Sequence, residues 1–165
     1  MWLLKNAIDR KKKILWIAHR QMLLEQAAES FQKFAYAEVI PHISSFHFRI
    51  VSGASSHERT IHIHPTDQLL IVSKDSIGRN LQRLDAWMAG EDEIYMIVDE
   101  AHHSTAKTYR KVISYVKEKV PNVKLIGLTA TPFRTAEEEQ GLLAKIYTDG
   151  VQNGQAVHGD IGITS

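Results

Sequence analysis

Two adjacent carboxylates, Asp99 and Glu100, directly follow the run Glu93-Ile94-Tyr95-Met96-Ile97-Val98, and two imidazoles, His102 and His103, come just after them. One carboxylate of such a pair can hold a hydrated dication while the other orients or deprotonates a water. About two dozen residues further on, a span suited to a crossover helix, a second apolar run ends in polar groups. This is Lys124-Leu125-Ile126-Gly127-Leu128-Thr129-Ala130-Thr131-Pro132, closed by two hydroxyls and a proline. Taken alone, the acid pair equally suits the first turn of a helix, where carboxylates complement the dipole. The second ending tips the balance toward chemistry.

Positioning such groups requires strands. Ile94–Val98 is apolar without alternation and reads as a strand buried on both faces. In an open α/β sheet, ligands gather at the carboxyl ends of strands, where Asp99 and Glu100 fall. Similar buried runs occur at Ile14–Ala18 and Leu69–Ser73, and Phe46–Val51 alternates as a further strand before the small-residue turn Ser52-Gly53-Ala54-Ser55-Ser56. Helical spacing covers Met1–Lys13, Gln21–Tyr36, a stretch from Asp75 or Ser76 through Trp87 toward Gly90, Thr105–Lys119 and Ala136–Tyr147. The run Arg10-Lys11-Lys12-Lys13 reads as a solvated, dipole-complementing helix end rather than a phosphate patch. The expected fold is α/β, a mostly parallel sheet flanked by helices, with residues 1–150 as the domain and 151–165 as a polar tail, in which Val157–Thr164 could form a short strand.

Asp99-Glu100-Ala101-His102 resembles the Walker B box of superfamily 2 DEAD/DEAH-box helicases, and Thr129-Ala130-Thr131 resembles their Thr-Ala-Thr box. Ala18-His19-Arg20, with Gly127 to Arg134, is most similar to the restriction-subunit-like members. The resemblance implies a partial RecA-like P-loop NTPase domain that uses ATP and Mg²⁺. On it, Asp99 would hold the metal through water and Glu100 would act on the attacking water. His102, Thr129 and Thr131 would couple nucleotide state to domain movement. It also implies a nucleic-acid track, DNA with RNA as the alternative, touching His19 and Arg20 at a strand end, Gly53 in a close-approach turn and Ser73 at the next strand end. Helix N–H groups and a guanidinium both favour phosphate there.

The phosphate-cradling Gly-x-x-x-x-Gly-Lys-Ser/Thr does not occur. Gly154 and Gly159 have the spacing but are followed by Asp160, which would repel phosphate. By the family's order the chain would begin just after that box, and it would lack the second RecA-like domain with its arginine finger, worth about 10³–10⁵ in turnover. This polypeptide is therefore expected to be a nearly inert fragment of a motor, with weak or absent ATP binding. The missing neighbour strand would leave the Leu125–Leu128 edge open to self-association or to cover by the 157–164 tail.

Two other readings stand beside the motor. One is a non-hydrolytic nucleic-acid-binding module using Arg20, Gly53 and Ser73. The other is a metallohydrolase in which His62 and His64 share a strand face, with His57, His102 or His103 completing the site. The net charge of +1 gives no global electrostatic argument for nucleic acid. The absence of cysteine excludes disulfides and thiolate metal sites. No apolar run approaches the ~20 residues of a membrane span, and a cytoplasmic setting is expected.

Overall fold

A computed structural model describes residues 2–36, 45–100 and 107–128. Five strands form one sheet: β1 (Lys13–Ala18), β2 (Phe48–Val51), β3 (Leu69–Ser73), β4 (Glu93–Val98) and β5 (Asn122–Gly127). Their order is β2-β3-β1-β4-β5, and every neighbouring pair is parallel. Parallel pairing needs long crossovers: α1 (Trp2–Asp9) precedes β1, α2 (Gln21–Tyr36) lies between β1 and β2, α3 (Lys74–Gly78) and α4 (Asp85–Met88) between β3 and β4, and α5 (Lys107–Lys119) between β4 and β5. All six residues of β4 are buried, as a central strand covered on both faces requires.

Two apolar layers enclose the sheet. On one face, Leu4, Ala7 and Ile8 of α1 and Leu24, Ala27, Ala28 and Phe31 of α2 pack on Ile14, Ile71 and Ile97. On the other, Ile77, Leu84, Trp87, Met88, Tyr109, Val112 and Val116 pack on Leu15, Ile17, Leu70, Val72 and Met96. At ~25 cal/mol per Å² of apolar surface removed from water, these layers dominate the stability of the fold. Among the described residues β5 is an edge strand, carrying exposed Asn122 and Lys124.

Several expectations are corrected by packing. The opening helix ends at Asp9 rather than Lys13, and Lys11, in a left-handed conformation (φ 55°), turns the chain into β1. The basic run is not a solvated end. Arg10 pairs with Glu93 at 2.8 Å, Lys12 with Asp92 at 2.6 Å and Lys13 with Glu91 at 3.0 Å, so three of its cations clasp the start of β4. Glu93 is buried and also accepts from Asn122 Nδ2 at 2.6 Å, which explains an acid at the head of an apolar strand.

The long helix expected from Asp75 or Ser76 to Gly90 is broken. Its N-cap is Ser73, the last residue of β3 and two residues before Asp75, and α3 stops at Gly78. A Cβ at Gly78 would lie 2.7 Å from Thr108 Cγ2, so glycine is what lets α3 approach α5. Asn80 leaves helical geometry (φ −136°, ψ 41°) and donates through Nδ2 to the Ser76 carbonyl. A 3₁₀ turn over Leu81–Leu84 then restarts the path into α4, and Gly90 (φ +78°) ends it. His62 and His64 do not share a strand: Thr60–His62 is a 3₁₀ turn, in which His62 meets Glu58 while His64 meets Thr66.

No described helix is long and apolar enough to cross a membrane. The expected helix 136–147, the tail 151–165 with its 157–164 strand, and the boxes around His102, Thr129 and Thr131 lie outside the described residues.

Candidate functional site

Because every strand runs the same way, all the strand ends meet at one rim. Ala18 stands opposite Ser73, Val51 opposite Val72, Ile17 opposite Val98 and Val98 opposite Gly127. The strand order therefore lines up Gly53, Ser73, His19 with Arg20, and Asp99 with Glu100 along this rim. Three interstrand steps of ~4.8 Å put the first and last about 14 Å apart.

The acid pair is held by backbone. Asp99 N–H donates to the Ile17 carbonyl at 2.8 Å, carrying the β4 ladder one residue beyond the strand. On the other side Leu128 N–H donates to the Val98 carbonyl at 2.9 Å, so the described part of the second ending stays beside the first. Asp99 is half-buried, and Oδ1 accepts the Glu100 N–H at 2.9 Å. Burial pushes its carboxyl above the usual carboxylate range, and the Glu100 charge adds to this, while Trp16 and the Glu100 N–H oppose it. Trp16 Nε1 is itself buried.

Glu100 follows with φ 55°, a left-handed conformation uncommon for residues other than glycine. Such strain costs about 1–3 kcal/mol and gathers at functional sites. Two acids, one desolvated and one on a strained backbone, thus stand at the rim formed by the strand ends.

The sign of the Asp99 shift gives a stability prediction. A carboxyl raised in the folded state is penalised when ionised, and the penalty develops as pH rises from the ordinary range near 4 through the raised value. Asp99→Asn should therefore melt higher than the unaltered chain at pH 7. The gain should vanish in melts at pH 3. A lower melting temperature at pH 7 would contradict burial as the dominant cause.

The other rim residues have distinct surroundings. His19 is half-buried and Arg20 exposed. The Arg20 carbonyl accepts from Leu23 N–H at 3.1 Å, placing Arg20 at the start of α2, whose first turn has no acid to offset the helix dipole. At Gly53 a Cβ would meet nothing within 4 Å, and the backbone has no positive φ. Among the described residues nothing demands glycine there. The loop is pinned beneath it: Ser52 Oγ accepts Ala54 N–H at 3.0 Å and lies 2.7 Å from His57 Nδ1, and His57 Nε2 is 3.5 Å from Glu25 on α2. Ser73 reaches the rim, but its hydroxyl accepts Ser76 N–H at 3.3 Å and so is partly spent on the α3 cap.

Sequence reasoning missed Arg59 and Arg79, which line a hollow of about 520 Å³ beside Gly53. It also missed Lys107 and Lys111, whose spacing of four on one helix was the available signal. Among the described residues no group of three or more His, Asp or Glu is placed to hold a metal.

A family model described as the type III restriction enzyme res subunit matches residues 1–134. The RNA polymerase-associated protein RapA of Erwinia tasmaniensis is 41% identical over 73 residues, which is 41% of this chain and 7% of that protein. RapA of Cronobacter sakazakii matches with the same identity and coverage. The helicase domain of Pyrococcus furiosus Hef overlays 82% of this chain and 27% of its own, with a TM-score of 0.58 at 21% identity, a likeness of fold. The chain thus spans about 7% of the length of the curated relatives it matches.

Proposed function

The chain belongs to the family of the type III restriction enzyme res subunit, with a helicase-type RecA-like fold, and from that premise we propose that it carries the hydrolytic acids and the nucleic-acid rim of an ATP-driven DNA helicase or translocase. The observation that carries the proposal is the single rim on which Gly53, Ser73, Arg20, Asp99 and Glu100 stand in strand order.

The acid pair fits the magnesium ion and the attacking water of a nucleotide complex, and no phosphate-cradling motif accompanies it. Asp99 is a hard oxygen donor whose desolvated charge a dication would offset, and Mg²⁺ accepts such a carboxylate directly or through its water shell. When bound, Mg-ATP supplies the electrophilic γ-phosphoryl group. Glu100 would then serve as the base or water-orienting group. His102, Thr129 and Thr131 are assigned the coupling role on the family resemblance. The chain contains no Gly-x-x-x-x-Gly-Lys-Ser/Thr, so these 165 residues alone are proposed to bind nucleic acid without appreciable turnover.

Arg20 and the α2 N-terminus are proposed to hold one phosphate, with Gly53 admitting the backbone two strands away. The test is fluorescence anisotropy of labelled single-stranded DNA across a salt series. Binding should weaken linearly on a log–log plot, and Arg20→Ala should flatten the slope by about 0.7, one single-strand phosphate contact. Its effect should be nearly uniform across DNA sequences, because a phosphate contact reads no base. Absence of salt-dependent binding by the unaltered chain would overturn the proposal.

A further inference from the structure

We propose that the nucleic-acid path does not end at the strand rim but continues down a basic trough between α3 and α5, gripped by Arg79, Lys107 and Lys111. This rests on the nucleic-acid reading above and extends it to residues that no strand end carries.

Two hollows share Arg79. The first, about 520 Å³, is lined by Gly53, Arg59 and Asn80 among others and contains no acid. The second, about 500 Å³, is lined by Asp75, Gly78, Arg79, Lys107, Thr108 and Lys111. Arg79 is exposed at their junction, and its Nε donates to the Asp75 carbonyl at 3.0 Å, which fixes the plane of the guanidinium. Among the described residues its terminal nitrogens make no ion pair. The one acid lining the second hollow, Asp75, is met by Lys74 Nζ at 3.3 Å. Lys111 Nζ donates to a backbone carbonyl, that of Gly78, at 3.2 Å and so keeps its charge unneutralised.

The placement of these cations works against the fold's own interests. Lys107 opens α5, where the helix dipole disfavours a positive charge, and the first turn holds no acid. Residues 101–106, Ala-His-His-Ser-Thr-Ala, supply none either. Lys107 and Lys111 lie four apart on the same helix, a like-charge spacing that costs rather than stabilises. Arg79 adds a third cation across the groove. A local rule broken without an internal gain marks a surface built for something outside the molecule. A polyanion is the ligand that turns all three penalties into attraction. Its backbone must be extended, because the hollow that holds these three cations shares Arg79 with the one beside Gly53, and together the two make a path longer than one pocket. A single nucleic-acid strand has both properties, with phosphates spaced to meet successive side chains.

The test uses fluorescein-labelled oligothymidylate and the whole 165-residue chain, read as the slope of log affinity against log salt. Arg79→Ala with Lys107→Ala should flatten the slope by about 1.4, two single-strand contacts at ~0.7 each. Arg83→Ala with Arg110→Ala removes the same charge from exposed positions outside both hollows and should leave the slope nearly unchanged. Thermal melts establish that each variant is folded. Lys107→Ala alone, at an exposed helix start, keeps the test usable if Arg79→Ala disturbs the α3 turn. An unchanged slope in the trough variants, with Arg20→Ala still weakening binding, would overturn the trough and leave the rim intact. Equal slopes in trough and control variants would overturn it too, by reducing the effect to net charge. No binding by the unaltered chain would overturn trough and rim together.

Discussion

Trp87→Ala should destabilise the chain by about 3–5 kcal/mol, the cost of emptying a fully buried aromatic site. Trp87 is wholly inaccessible and lies in the apolar layer formed with Leu84, Met88 and Val116. Its indole N–H donates to the Asp67 carbonyl at 2.7 Å, and Lys13 Nζ both stands 5.5 Å over the ring and donates to the Trp87 carbonyl at 2.6 Å. Asp67 is itself buried, chelated by Arg49 through Nε at 2.7 Å and Nη2 at 3.1 Å. One side chain therefore ties α4 to the entry of β3, at the end of the sheet opposite the candidate rim. A domain has only about 5–15 kcal/mol to lose, so the melting midpoint should fall by about 6–20 °C. Urea unfolding should show a lower midpoint at similar slope. Trp87→Phe, which keeps most of the apolar volume and loses the hydrogen bond, should cost less. A loss under ~1 kcal/mol for Trp87→Ala would contradict this packing.

Glu100→Gln should lower ATP turnover by about 10²–10⁴ while leaving nucleotide affinity unchanged, because it removes the group proposed to act on water and no group proposed to grip phosphate. Turnover has to be read in a polypeptide that supplies a phosphate-binding Gly-x-x-x-x-Gly-Lys-Ser/Thr in cis. Gln keeps the volume of Glu and tolerates the same left-handed backbone equally poorly, so the melting temperature should barely move. That combination separates chemistry from structure: a structural role for Glu100 would shift stability with rate. Retention of full turnover in the Gln variant would reassign the base. The contrast with Asp99→Asn is informative, since that change should raise stability while removing the proposed metal ligand, the trade expected where a fold carries a charge for function.

Much of this architecture was legible before any coordinates. The helix over Gln21–Tyr36 follows from its apolar stripe, and the strand Glu93–Val98 from a run with no alternation. Their boundaries depend on side chains within a few residues, which is the range over which periodicity is informative. The placement of Asp99 at a strand end was equally local. The 3₁₀ turn at Thr60–His62 was misread because two histidines with one residue between them satisfy a strand pattern, and the pattern cannot sense that Glu58 and Thr66 engage the rings. The break at Gly78 was missed for a similar reason. A lone glycine in a helical pattern is usually tolerated, and only contact with Thr108 makes it obligatory.

By itself the sequence determined the helix over Gln21–Tyr36, the buried runs of β1, β3 and β4, and which side chains stand at their ends. Only the tertiary structure decided the order β2-β3-β1-β4-β5, and with it which of those ends are neighbours along the rim. It also decided that Arg10, Lys12 and Lys13 are committed to the acids before β4, while Arg79 and Lys107 are left facing a groove. The reason is one of range. Periodicity and capping act over a few residues, whereas strand order and charge pairing join groups some eighty positions apart, such as Lys12 and Asp92. A cation becomes a clasp or a ligand site according to what the fold brings to face it.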